Sequence, residues 1–168
     1  MLIYIVITIV GLLVTLFGVL GVVGSFVPET HTASMSVDVA TPIDRVWAAI
    51  DDPASFPQWL PGVDAVEMLP DKDGRRAFRQ KQGRNSFVLE ETVKQPPTLV
   101  TRTITDDNGP FSGSWEHRLE DLGDGRTRVT VNETGTIKSP IPRAIMHYAI
   151  GYDYYLNSFA KALKAKFG

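Results

Sequence analysis

"TPIDRVWAAIDDPASFPQWLPGV", residues 41 to 63, decides the architecture. Thr41 is a helix-capping residue, Pro42 suits a first helical position, and Asp44 stands where a capping box places its acid. Ile43, Val46, Trp47 and Ile50 then recur at i, i+3, i+4 and i+7, one apolar face of a short helix. Asp52-Pro53 repeats the cap-plus-proline logic for a second short helix, which Pro57 and Pro61-Gly62 end. Phe56, Trp59 and Leu60 are left at an elbow.

Working outward, "SMSVDVA" (34 to 40) alternates Met35, Val37 and Val39 with Ser36 and Asp38, the pattern of a half-buried strand. Downstream, Asp73-Gly74, Asn108-Gly109 and Asp124-Gly125 are dipeptides suited to tight hairpin turns. Gly83-Arg84-Asn85 and Pro96-Pro97 supply two looser breaks. The six intervening segments, from "DAVEML" to "RTRVTVNETGTIK", read as an antiparallel meander. Ser139-Pro140 opens a long final helix whose one face carries Ile141, Ile145, Tyr148, Tyr152, Tyr155, Leu156, Phe159 and Leu163. Gly151 inside it predicts a kink or a close contact. The class is α+β.

The chain begins "MLIYIVITIVGLLVTLFGVLGVVGSFVPET", and its first charged side chain is Glu29. Residues 1–28 therefore read as a transmembrane anchor, since about 20 apolar residues span a bilayer core. The competing reading is a cleaved signal peptide, which should carry a basic start, a shorter apolar run and a small-x-small site. No Lys or Arg precedes Arg45. Glu29 and Asp38 come before that first basic residue, which favours an extracytoplasmic domain on a single-pass membrane protein. Residues 29–33 are expected to be a linker and 34–168 the globular domain. Thr8, Gly11, Thr15, Gly18 and Ser25 form a stripe of small residues on the first helix, compatible with homo-association in lipid or with ordinary membrane-helix composition.

Seventeen basic against 19 acidic residues leave a net charge of −2, without the basic excess that nucleic acid binding needs. The chain has no cysteine, so thiolate chemistry and disulfides are excluded. His31, His117 and His147 are not at metal-ligand spacing. No phosphate-binding glycine loop or G-x-S-x-G elbow occurs, and no cofactor or metal is expected.

The order strand, two short helices, six-strand meander and long carboxy-terminal helix is that of the helix-grip fold. With "TPIDRVWAAIDDPASFPQWLPGV" and the late hairpin "GDGRTRVTV" (123 to 131), residues 34 to 167 resemble the SRPBCC superfamily, also called START-like, in its polyketide cyclase/dehydrase and lipid-transport branch. The resemblance implies a curved sheet of about seven strands wrapped on the long helix, with an apolar cavity between them. The iron-binding triad of the superfamily's oxygenase branch is not recognisable.

Strand alternation nominates the wall of such a cavity. Phe111, Trp115, His117 and Leu119 share one face; Phe87, Leu89, Glu91 and Val93 another; Val129, Val131, Glu133 and Ile137 a third. Phe78 lies opposite the basic face Arg75, Arg79 and Lys81, which is read as solvated or as touching anionic lipid. Candidate ligand contacts are Trp59, Phe78, Phe87, Leu89, Trp115, His117, Glu133, Tyr148, Tyr152 and Tyr155. Glu91, His117 and Glu133 are the candidates for acid–base chemistry, since a carboxylate in an apolar pocket has a raised pKa. The plainer reading of the same three residues, and the one favoured over catalysis, is a solvated rim or a hydrogen-bonded wall.

The expected function is a membrane-anchored binding protein for a hydrophobic small molecule or lipid, of the lipid, isoprenoid or quinone class. The alternatives are a cyclase, dehydratase or hydrolase using the cavity Glu and His residues, and a non-catalytic membrane assembly module.

Overall fold

The computed structural model describes residues 1–106, 109 and 111–168. Helix α1 (Leu2–Ser25) is followed by strand β1 (Thr30–Val39), helix α2 (Ile43–Ile50), a 3₁₀ turn (Pro53–Ser55) and the one-turn helix α3 (Phe56–Trp59). Then come β2 (Ala65–Lys72), β3 (Arg75–Gln82), β4 (Asn85–Gln95), β5 (Leu99–Ile104), β6 (Phe111–Gly123) and β7 (Arg126–Ile137). The chain closes with α4 (Pro140–Ile145), a π-helical turn (Met146–Ile150) and α5 (Tyr154–Phe167).

The seven strands form one antiparallel sheet in the order β1-β7-β6-β5-β4-β3-β2, a meander with the first strand returning beside the last. The hairpin signals act as their chemistry dictates. Asp73-Gly74 and Asp124-Gly125 all have positive φ (52°, 74°, 53° and 71°), the condition that a two-residue turn imposes on a right-twisted ribbon. Asn108 of the third dipeptide lies outside the described residues. The apolar face of α2 (Val46, Trp47, Ile50) and that of α5 (Leu156, Phe159, Leu163) are buried on the concave side of the sheet with Phe78, Val100, Val129 and Val131. This is the expected α+β helix-grip arrangement.

Four expectations need correction. Residues 29–33 are not a free linker: β1 starts at Thr30 and pairs with β7 along its whole length, from Thr30↔Thr136 to Val39↔Thr127. Thr41 does not cap α2. Its neighbour Pro42 takes the cap position, while the Thr41 hydroxyl donates to the Phe167 carbonyl at 3.4 Å and ties α2 to the end of α5. Pro57 does not stop the second short helix, because it sits in the first turn of α3, where its missing N–H has no partner to lose.

The long final helix is broken. Gly151 adopts φ 89°, and its N–H closes a wide π-type bond to the Met146 carbonyl at 2.8 Å before the chain restarts at Tyr154. A single 3.6-residue face cannot run through that break. Tyr148 accordingly points outward, 68% exposed, whereas Tyr155, Leu156, Phe159 and Leu163 stay on the sheet side.

Helix α1 is 24 residues of uncharged, mostly apolar sequence, about 36 Å long and sufficient by length and composition to cross a bilayer. Its end is seated, not dangling. Gly24 is buried so tightly on α4 that an added Cβ would lie 1.9 Å from the Pro140 carbonyl oxygen. Val27 is buried, the Ile137 N–H donates to the Glu29 carbonyl at 2.9 Å, and Glu29 pairs with Arg143 at 3.2 Å. Gly11 and Gly18, further up the helix, face open space. Gly24→Val should therefore unseat α1 from α4 while leaving the sheet intact. Limited proteolysis would read this as faster cleavage within residues 26–29, about tenfold for each 1.4 kcal/mol of packing lost. An unchanged rate would mean that the seat does not hold the junction.

Candidate functional site

Inward-facing residues of β3 to β7 and the inner face of α5 do not meet completely, and a partly enclosed cavity of about 250 Å³ remains between them. Period-2 alternation builds its walls: Phe78, Gln80 and Gln82 from β3, Phe87 and Leu89 from β4, Arg102 and Ile104 from β5. Trp115 and His117 of β6 and Glu133, Gly135 and Ile137 of β7 continue the wall. Tyr155 and Phe159 of α5 line it as well, together with Ile50, Phe56 and Leu60 from the α2–α3 region, Ile137 at the end of β7 and Met146 of the π-turn.

Seven of the sequence candidates thus line the cavity: Phe78, Phe87, Leu89, Trp115, His117, Glu133 and Tyr155. Trp59, Tyr148 and Tyr152 do not. Trp59 packs against Phe56 and Phe159 behind the wall, with ring centroids 5.7 and 5.9 Å away. Tyr148 is turned out by the helix break, and Tyr152 instead stacks on His31 at 3.9 Å.

Glu91 is inward but structural. Its side chain is 2% exposed and accepts from Arg102 (Nη2 at 3.0 Å, Nε at 3.3 Å) and from Arg76 Nε at 2.9 Å, with Lys94 Nζ at 3.3 Å. Arg76 and Arg102 also donate to the carbonyls of Asp51 and Ile50 at 2.8 and 2.7 Å, closing the carboxy-terminal end of α2 where cations are favoured. Burial works against the Arg76 cation, yet Glu91 and Asp51 together raise its pKa. For Arg102 burial prevails and the pKa is lowered despite Glu91. The guanidinium of Arg102 lies 5.4 Å from the centre of the Phe56 ring, and both residues line the cavity, with Glu91 behind them. A bulge between Glu91 and Val93 ends the expected four-residue face of β4 and leaves Val93 40% exposed. Among the described residues, no hydrogen bond joins any two of the acid–base candidates Glu91, His117 and Glu133, whose side-chain partners are Arg76, Arg102 and Lys94 for Glu91 and His31 for Glu133.

His31 also lines the cavity, although it is not among the residues expected there. It lies in the stretch read as linker, yet extending the alternation of β1 backwards from Met35 through Ala33 reaches it directly. Its cross-strand partner is Gly135, and a Cβ there would meet the imidazole at 2.5 Å, so glycine makes room for the ring to fold over the sheet. His31 Nε2 lies 3.4 Å from Glu133 Oε1, with both side chains 10% exposed.

Burial raises the Glu133 carboxyl above its ordinary value, opposed by the Trp115 indole and by His31. Burial also pushes the Tyr155 phenol up to about 12, helped by Glu133. His117 is driven down to about 3 by burial and by Arg102, and stays neutral at ordinary pH. Trp115 Nε1, His117 Nδ1 and Glu133 Oε2 are buried without a hydrogen-bond partner. An apolar chamber with a few unanswered polar atoms is suited to holding a mostly hydrophobic molecule in one orientation.

A curved seven-stranded sheet gripping a terminal helix around such a chamber defines the helix-grip, START-like class. The chain belongs to the polyketide cyclase / dehydrase and lipid transport family, whose pattern matches residues 30–167. No curated protein matches at significant similarity. Among solved structures, the Zhui aromatase/cyclase from Streptomyces sp. R1128 superposes with a TM-score of 0.71 at 17% identity, over 82% of this chain and 93% of that one. A START superfamily protein from Mycobacterium smegmatis gives 0.66 at 19% identity, over 82% and 97%. Norcoclaurine synthase from Thalictrum flavum gives 0.59 at 15%, over 80% and 91%. At these identities the likeness concerns the fold alone.

Proposed function

We propose that this protein is anchored in a membrane by α1 and holds a hydrophobic small molecule or lipid, of the lipid, isoprenoid or quinone class, in the cavity under α5. The observation that carries this reading is the link between the cavity lining and α1. Ile137 and Met146 line it, and that same stretch is fastened to the end of α1 through the Ile137–Glu29 hydrogen bond and the Pro140–Gly24 contact. A chamber whose lining is fastened to a bilayer-spanning helix would take its ligand from the phase in which the ligand dissolves. The nearby Phe26, Ile145, Tyr148 and Ile150 are exposed, as side chains seated among headgroups would be. The domain is read as extracytoplasmic from the acidic residues that precede Arg45.

The test is extraction of bound molecules from the full chain purified in lipid nanodiscs, beside an Ile104→Trp variant that fills the cavity. Mass spectrometry should find one class of apolar molecule enriched over the disc lipid in the native protein and reduced about tenfold or more in the variant, which corresponds to 1.4 kcal/mol. Equal recovery from both would sink the reading, as would a chain that washes off membranes in alkaline carbonate. A second reading is an enzyme of cyclase or dehydratase type, favoured by the buried Glu133 beside His31. Recovery of the ligand in chemically altered form in the same experiment would turn the argument that way.

A further inference from the structure

We infer that the ligand carries a hydroxyl group, received between Trp115 Nε1 and Glu133 Oε2. This rests on the cavity-binding reading above and narrows it from apolar molecules in general to apolar alcohols. Trp115 and Glu133 are direct cross-strand partners on β6 and β7 and both line the cavity. Directly opposed residues have Cβ atoms about 5 Å apart, so their polar tips can address one small group.

The donor and acceptor inventory around the pair is specific. The Trp115 indole N–H can only donate; it is buried close enough to bear on the Glu133 carboxyl but closes no hydrogen bond of ordinary geometry with it. Glu133 has its Oε1 directed at His31 Nε2, while Oε2 is buried with no partner. Leaving such a pair unanswered is costly, which is why nearly all buried polar atoms in proteins are bonded. An aliphatic or aromatic hydroxyl answers both at a single oxygen, accepting from Nε1 and donating to Oε2. It also serves the protonated acid, from which it can accept. A carbonyl or ether oxygen accepts from Trp115 but offers nothing to the carboxylate, and a hydrocarbon offers nothing to either. Arg102, the other charged residue in the wall, is already taken by Glu91 and the Ile50 carbonyl, so it does not compete for the hydroxyl. His117, two residues along β6, packs edge-on against Phe159 and lies beside the backbone of Trp115 and Val100, so it belongs to a different part of the wall from the Trp115–Glu133 pair.

The experiment uses three probes of one shape: geraniol, geranyl methyl ether and the hydrocarbon myrcene, titrated into the full-length protein in nanodiscs. The indole ¹⁵N–¹H resonance of Trp115 and isothermal calorimetry report binding, after correction for partitioning into empty discs. Geraniol should bind about tenfold more tightly than the ether, the usual cost of one unanswered buried group. It alone should give a downfield indole shift that depends on Glu133. In Glu133→Leu the alcohol should lose its advantage while myrcene binds as well or better. Equal affinity of all three probes in the native protein would overturn the hydroxyl and leave the cavity reading standing. Binding of none of them would overturn the cavity reading itself. Preference for the alcohol that persists unchanged in Glu133→Leu would place the polar contact elsewhere and sink the assignment.

Discussion

Replacing Glu91 by Leu should cost the fold about 3–5 kcal/mol, the usual penalty for stripping one partner from a buried ion pair. The carboxylate is 2% exposed and receives Arg102, itself 4% exposed, together with Arg76 and Lys94. Without it the Arg102 guanidinium would stay in an apolar wall between Phe56 and Phe78, held by the Ile50 carbonyl and little else. For a domain of this size the loss corresponds to a melting temperature lower by about 10 °C or more. The double variant Glu91→Leu/Arg102→Met removes both charges and should recover most of the stability. A remainder is expected from the Ile50 carbonyl, which loses its donor. Urea unfolding of the four-member cycle measures this directly. A loss below about 1 kcal/mol in the single variant would show that the cluster is not the lock between α2 and the sheet.

The second large effect concerns acid. His117 is neutral in the folded chain down to about pH 3 but takes a proton near 6.5 when unfolded. Between those values the unfolded state binds more protons, so stability falls as pH falls, by at most about 1.4 kcal/mol per pH unit. Glu133 acts with the opposite sign. Its raised folded pKa means the folded state takes up the proton first, and acidification through that range stabilises. Comparing the native protein with His117→Leu cancels the Glu133 contribution. The native stability should decline relative to the variant from about pH 6.5 downward, approaching a total of roughly 4–5 kcal/mol by pH 3. Parallel curves would show that the imidazole is not desolvated as its seat beside Phe159 implies.

Most of the fold was legible because its signals are local. Turn dipeptides that demand positive φ, a proline at each short-helix start and period-2 alternation each fix one element without reference to the others. The cavity wall followed from the same alternation, which put Phe87, Leu89, Trp115, His117 and Glu133 inward. What escaped was everything decided at a distance. The extension of β1 to Thr30 is stabilised by its pairing with β7, more than a hundred residues away, and the place of His31 in the cavity wall follows from it. The fate of Glu91 depends on two arginines from other strands, so its inward position alone could not separate a structural ion pair from a catalytic acid. Gly151 signalled a kink, but the direction in which it would throw Tyr148 and Tyr152 is a tertiary matter.

The brevity of the junction between Ser25 and Thr30 has a mechanical outcome. With α1 in a bilayer, the domain has no leash. If α1 spans a bilayer as proposed, the domain would not cross an aqueous gap to a second membrane, as a free carrier does, and its search for ligand would collapse from three dimensions to two. Such a protein would work as a mooring post, exchanging its cargo with whatever drifts past in the same leaflet. Its throughput would then follow surface density and not bulk abundance.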